Sequence, residues 1–187
     1  MSDRFDILET SLSGLKIIQR KIIGDSRGYL ERLFCSAELK TVIPGKNISQ
    51  INHTLTVRRG AVRGMHFQHP PHAETKFVSC VRGEVFDVAV DIRFNSPTFL
   101  QWHAEILSDE NHKALVIPEG FAHGFQTLTK DCEMLYFHTV AYRAESEGGV
   151  NAIDPRLAIQ WPLEISERSP RDSEYPAIPQ NFKGIAL

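Results

Sequence analysis

RRGAVRGMHFQHPPHAETKFVSCVRG, residues 58–83, decides how this chain folds and where its chemistry lies. Two strand-like runs, AVRGMHFQ and TKFVSCVRG, flank a Pro70-Pro71 break, and His66, Lys76, Arg59 and Arg63 are gathered around it. A second piece, IPEGFAHGF (117–125), answers the first with Pro118, Gly120 and His123 at a PxGxxH spacing. Apolar runs of this length, bounded by Gly and Pro, read as strands rather than helices.

Together the two pieces resemble the two-part signature of cupins, which are small antiparallel barrels. The first half of that signature supplies HxH, then a glutamate, then a glycine seven residues further on. Here His66 is present, but the second His is Gln68, and Lys76 stands seven residues before Gly83. Metal sites of this type want His and carboxylate together. An ammonium donates hydrogen bonds and has no lone pair for a cation. The expectation is a cupin-like barrel with no metal, whose ligand set has given way to a His and a Lys.

Length and composition bound the rest. A chain of 187 residues suits one domain, and a chain of that size buries roughly 70% of its unfolded surface. Hydrophobic content of 42% and charge of 24% are those of a globular protein. A net charge of −2 argues against nucleic acid and against an anionic membrane surface as partners. Cys35, Cys80 and Cys132 are an odd number without CxxC spacing, which reads as free thiols in a reducing compartment. No stretch is apolar enough for a signal peptide or a bilayer span, so the expected location is the cytoplasm.

Along the chain, short strands dominate. LKIIQRKII (15–23) runs into the turn GDSRG (24–28), and YLERLF (29–34) pairs back across it. SAELKTVI (36–43) is predicted to be a helix with Ser36 as its N-cap, ended by Pro44-Gly45. NISQINHTLTV (47–57) alternates, with Ile51, His53 and Leu55 on one face and Gln50, Asn52 and Thr54 on the other. FDVAVDI (86–92) is stricter, setting Phe86, Val88 and Val90 against Asp87, Ala89 and Asp91. The fold predicted is all-β, an antiparallel jelly-roll barrel over about 14–143. A tail over 144–187 wraps it with turns and short helical elements, anchored by Trp161 and Leu163.

Taken in order, DSRGYLERLF (25–34), QINHT (50–54), RGMHFQHPPHAETK (63–76), VFDVAVDIRFNSPTF (85–99), IPEGFAHGFQTL (117–128), Tyr136, DPRLAIQWP (154–162) and SPRD (169–172) resemble the dTDP-4-dehydrorhamnose 3,5-epimerase family. The resemblance implies a jelly roll, usually a homodimer, acting on nucleotide-linked 4-keto-6-deoxyhexoses without metal or organic cofactor.

What such a substrate needs can be derived separately. Inverting a carbon beside a ketone requires a base on one face, a cation or donor at the ketone oxygen, and an acid on the other face. His66 suits the base, since imidazole titrates near neutral pH. The resemblance pairs it with Asp172, assigns Lys76 to the enolate oxygen, and makes Tyr136 the acid. If residues 63–68 and 75–82 are antiparallel neighbours, His66 and Lys76 both face the barrel mouth. The resemblance also puts His123 and Tyr142 beside the sugar, and Gln50, Asn52 and Arg63 along the nucleotide. It gives Arg27 a contact with the nucleotide, from a partner subunit. His138 shares a face with Tyr136 and is assigned no role.

The family's RGxFxE pattern is broken here, with Leu30 for its Phe and Arg32 for its Glu. A guanidinium offers donors only. It cannot accept from N3 of thymine but fits the N3/O2 edge of cytosine, so Arg32 opens a CDP-sugar reading beside the dTDP-sugar. A one-residue bulge at Gly28 would instead bring Glu31 into place. Two further readings stand beside the epimerase: a 3,4-ketoisomerase on the same barrel, and a non-catalytic sugar-nucleotide-binding cupin.

Overall fold

The computed structural model describes residues 4–187. Thirteen strands are described. In chain order they are β1 (Phe5–Glu9), β2 (Lys16–Arg20), β3 (Ile23–Asp25), β4 (Gly28–Leu30), β5 (Gln50–Thr56), β6 (Val62–Gln68) and β7 (Lys76–Arg82). There follow β8 (Glu84–Asp91), β9 (Trp102–Ser108), β10 (Lys113–Ile117), β11 (Phe121–Thr127), β12 (Cys132–His138) and β13 (Glu147–Gly149). A 3-10 turn at Ala144–Ser146 precedes β13, and one short helix, α1 (Pro170–Glu174), lies near the C-terminus.

These strands form the expected jelly roll. One sheet has the order β1-β2-β10-β7-β12-β5, the other β13-β6-β11-β8-β9, and β3-β4 is a separate hairpin. Every named strand pair is antiparallel. The sheet starts at Phe5, upstream of the barrel start read from the sequence, and the tail adds β13 along β6.

Three apolar layers hold the sheets. Val78, Cys80, Leu115, Ile117 and Met134 of the first sheet meet Val85, Ala89, Leu107, Phe121 and Phe125 of the second in the barrel interior. The second sheet also buries its outer face, where Val62, Met65, Val88, Val90 and Ala122 lie under Val150, Leu157, Ile178 and Ile185 of the tail. On the first sheet, Phe77, Val116 and Phe137 lie under Leu39 and Ile43. Burial of one such large side chain contributes roughly 1.5–3 kcal/mol. Slipping a strand by one residue would exchange its interior and exterior sets, so the register is firmly held.

The helix expected over 36–43 is replaced by irregular turns. Backbone bonds run from Leu39 N–H to Cys35 O and from Val42 and Ile43 N–H to Leu39 O, without a continuous ladder. The β-branched run Thr41-Val42-Ile43 is a poor helix former, and Pro44 disfavours helical geometry at Ile43. What survives of the pattern is the burial of Leu39 and Ile43. In the tail, Trp161 packs on the second sheet and donates its indole N–H to Ala152 O, while the Leu163 backbone is held by Gln126. All three cysteines are free.

Candidate active site

The interior layer stops short at one end of the barrel, leaving a cavity of about 200 Å³ lined by polar side chains. Asn52, Arg63, His66, Lys76, His123, Tyr136 and Tyr142 all face it. β6 and β7 are not neighbours, because β6 lies in the second sheet and β7 in the first. His66 therefore faces Lys76 and Tyr136 from the opposite wall. Period-two alternation tells which face a side chain occupies, but not which sheet its strand joins.

His66 sits mid-strand with its Nε2 2.7 Å from Asp172 Oδ1. The other oxygen, Oδ2, accepts from Gly64 N–H at 3.1 Å. Asp172 is buried to 2% exposure in the first turn of α1, whose N-cap is Ser169 and whose first residue is Pro170. Burial pushes this carboxyl up. The His66 bond, the Gly64 N–H and the nearby charge outweigh it and bring the carboxyl down to about 2. A carboxylate only accepts, so Nε2 carries the proton of this bond, and in a neutral ring Nδ1 is the nitrogen with the lone pair. Gly64 is needed where β6 passes β11: it has φ +125°, and a Cβ there would meet Gly124 Cα at 2.6 Å.

On the facing wall, Lys76 is buried to 6% exposure and its Nζ is 3.2 Å from Glu74 Oε1. Tyr136 packs edge-on to His123, ring centroids 6.1 Å apart. Burial pushes its phenol well above the ordinary value, and the Asp87 carboxylate adds to this. The hydroxyl holds its proton at neutral pH. His123 Nε2 lies 2.9 Å from Asp87 Oδ2, and burial pushes the imidazole down, which favours the neutral ring.

Gln50 lies at the rim, its amide donating to Asn52 Oδ1 and its Oε1 accepting from Tyr142 N–H. Arg27 and Arg32 do not face the cavity. Arg27 is paired with Asp25 on the exposed β3-β4 hairpin, and Arg32 with Glu38 at 3.0 Å. That hairpin pairs regularly from Asp25↔Gly28 to Ile23↔Leu30, without the bulge considered above. Glu31 turns inward instead, to Arg20 Nε at 2.6 Å and His112 Nδ1 at 3.0 Å.

Sequence reading missed several groups. Glu74 and His138 face the cavity and bond each other at 2.8 Å. Glu147 accepts from Tyr142 Oη and from Arg171 Nη1 at its mouth. Asp87 is buried behind His123, and a charged residue alternating inside an apolar strand was the available signal for it. A larger groove adjoins the cavity, lined by Arg58, Arg63, Arg168 and Arg171, and shares Arg63, His66 and Arg171 with it. Nor do the donors suit a divalent cation. Gln68 spends both amide atoms on backbone groups at His72 and Arg143, and Lys76 is a cation. Among the described residues, no group of three or more His, Cys, Asp and Glu is gathered to hold a metal ion.

Residues 9–180 match the family model described as dTDP-4-dehydrorhamnose 3,5-epimerase. The chain belongs to that family. A dTDP-4-dehydrorhamnose 3,5-epimerase of Sinorhizobium fredii is 40% identical over 181 residues, covering 95% of this chain and 93% of the relative. That of Salmonella typhimurium is also 40% identical, over 93% of this chain and 96% of the relative. Among solved structures, a dTDP-6-deoxy-D-glucose-3,5-epimerase from Legionella pneumophila, in complex with dTDP-4-keto-L-rhamnose, superimposes with a TM-score of 0.88. It is 40% identical, with 92% of each chain covered. The chain is thus an isomerase of the epimerase family, and no helix among the described residues is long and apolar enough to cross a membrane.

Proposed function

We propose that the enzyme epimerises a nucleotide-linked 4-keto-6-deoxyhexose at C3, C5 or both, by proton removal and return through an enolate. One observation supports this reading: His66 and Tyr136 stand on opposite sheets and line the same cavity. In this scheme His66 takes the α-proton through Nδ1, and ionised Asp172 steadies the imidazolium. Lys76 donates to the oxygen that becomes the enolate, where charge develops. Tyr136 then returns a proton from the other wall. His123, kept neutral, packs beside the sugar with Tyr142. The nucleotide lies toward Gln50 and Asn52, with Arg63 and Arg171 for the diphosphate, since guanidinium forks suit phosphate oxygens.

The test is solvent deuterium uptake at C3 and C5 of a dTDP-4-keto-6-deoxyhexose, before and after exhaustive chelation. Uptake with inversion, unchanged by chelation, is the expected result. Binding without uptake would indicate a sugar-nucleotide-binding protein, and migration of the ketone a ketoisomerase. Loss of activity with a stoichiometric metal would overturn the cofactor-free scheme.

The same proposal places the enzyme in the cytoplasm as a homodimer. Ile51 and Leu55 on β5, with Val57 just beyond its end, are exposed, β5 is an edge strand among the described residues, and Tyr29 and Leu30 are exposed on the hairpin. Exposed apolar surface of this kind marks subunit interfaces. A partner seated there would let the hairpin carry Arg27 to the neighbouring site. Because Arg32 is engaged with Glu38, it is expected not to read the base. Calorimetric titration should then rank dTDP ahead of UDP, CDP and GDP, with the order unchanged in Arg32→Glu. A preference for CDP that the substitution abolishes would assign the base reading to Arg32.

A further inference from the structure

The scheme above leaves one buried network without a role. Glu74 is 8% exposed, its Oε1 3.2 Å from Lys76 Nζ and its Oε2 2.8 Å from His138 Nδ1. His138 lies directly opposite Lys76 in the β7–β12 ladder and lines the cavity. Its ring stacks on Tyr136 with centroids 6.1 Å apart and planes inclined by 19°. Asn52 Nδ2 is 3.4 Å from its other nitrogen. Burial pushes the Glu74 carboxyl up, but the His138 bond and the Lys76 charge more than offset this and hold it below its ordinary value. An ionised Glu74 cannot donate, so Nδ1 carries the proton of that bond.

A carboxylate beside Lys76 works against an ammonium that must serve a substrate oxygen. Turned so that both oxygens face the ammonium, Glu74 would occupy two of its three N–H groups and cancel its charge at close range. Held at one oxygen, it occupies a single N–H. His138 takes the second oxygen, through the shorter of the two contacts.

We propose that His138 is a positioning residue, which limits Glu74 to a single-oxygen contact with Lys76 and so leaves the ammonium free to reach the substrate. This rests on the oxyanion role given to Lys76 above. It also gives the Glu74–His138 bond a purpose that neither the base nor the acid requires.

Two substitutions separate the donor from the ring. His138→Phe keeps an aromatic ring against Tyr136 and removes the donor. His138→Asn sets an amide nitrogen near the place of Nδ1 and removes the ring. Deuterium uptake is the readout. His138→Phe should lower kcat by about tenfold or more with little change in KM, a cost typical of a misplaced catalytic group. His138→Asn should recover most of that loss. In a Glu74→Gln background, His138→Phe should cost nothing further, because the two act as a unit. Equal impairment by Phe and Asn, or an equal cost of His138→Phe in both backgrounds, would overturn the proposal. Lys76→Ala distinguishes the levels: full uptake in that variant removes the underlying scheme, whereas its loss, alongside an equal cost of His138→Phe in both backgrounds, removes only the role of His138.

Discussion

His66→Ala is expected to lower deuterium uptake at the α-carbons by on the order of a hundred- to ten-thousandfold, the usual cost of losing a general base. The reason lies in what remains. Lys76 and Tyr136 are on the other wall, and both hold their protons as donors in this scheme. His123 lines the cavity, but its Nε2 is turned to Asp87, and in this scheme it is a wall of the sugar site. Neither Lys76 nor Tyr136 is placed to accept a proton from the face that His66 covers, and the scheme gives His123 no proton transfer. Collapse of the fold is not expected to mimic the effect. In the variant, Asp172 keeps the Gly64 N–H at 3.1 Å and the Arg171 Nε at 3.6 Å, so its carboxylate stays partnered. The strand around it is held by Met65 and Phe67 in the layer under the tail. The measurement is uptake by NMR in D2O, with the thermal midpoint followed in parallel. Near-normal uptake in a folded variant would remove His66 from the role of base.

Much of this was legible in the chain because local pattern and global fold agree. The turn GDSRG does join two strands, and FDVAVDI does set Asp87 and Val88 on opposite faces. What the pattern concealed came from layers and from long-range pairing. β8 and β11 are buried on both faces, since the tail covers the outer one, so hydrophobicity alone does not separate inside from outside. The partnership of His123 with Asp87 depends on the β8–β11 register, in which His123 lies opposite Ala89. Placement of His66 across from Lys76 depends on two strands, close in sequence, joining different sheets. Alternation puts His138 on a face with Tyr136, but its bond to Glu74 crosses a gap of 64 residues that alternation does not report. A motif places Arg27 and Arg32 but does not say that each is paired with a carboxylate on the surface of the same chain.

Tyr136→Phe should separate the two halves of the reaction. The ring keeps its packing against His123 and His138, so the wall of the cavity stays in place. Only the hydroxyl is lost, and with it a phenol proton that burial makes harder to remove. Abstraction by His66 is unaffected in principle, since Lys76 still faces the enolate oxygen. The enolate then has one proton source left, the imidazolium on the face from which the proton came. In D2O that group exchanges with solvent and returns deuterium with retention. Uptake should therefore persist within about tenfold of the parent, while inversion falls by on the order of a hundred- to ten-thousandfold, the range for a lost general acid. The measurement is the deuterium content and configuration of C3 and C5 in recovered sugar, taken on the same sample. Equal loss of uptake and inversion would mean that Tyr136 acts before the enolate forms. Inversion at the parent rate would mean that the opposite-face proton comes from elsewhere. The opposed-wall geometry predicts neither, because it gives the enolate one donor on each face and removes one of them.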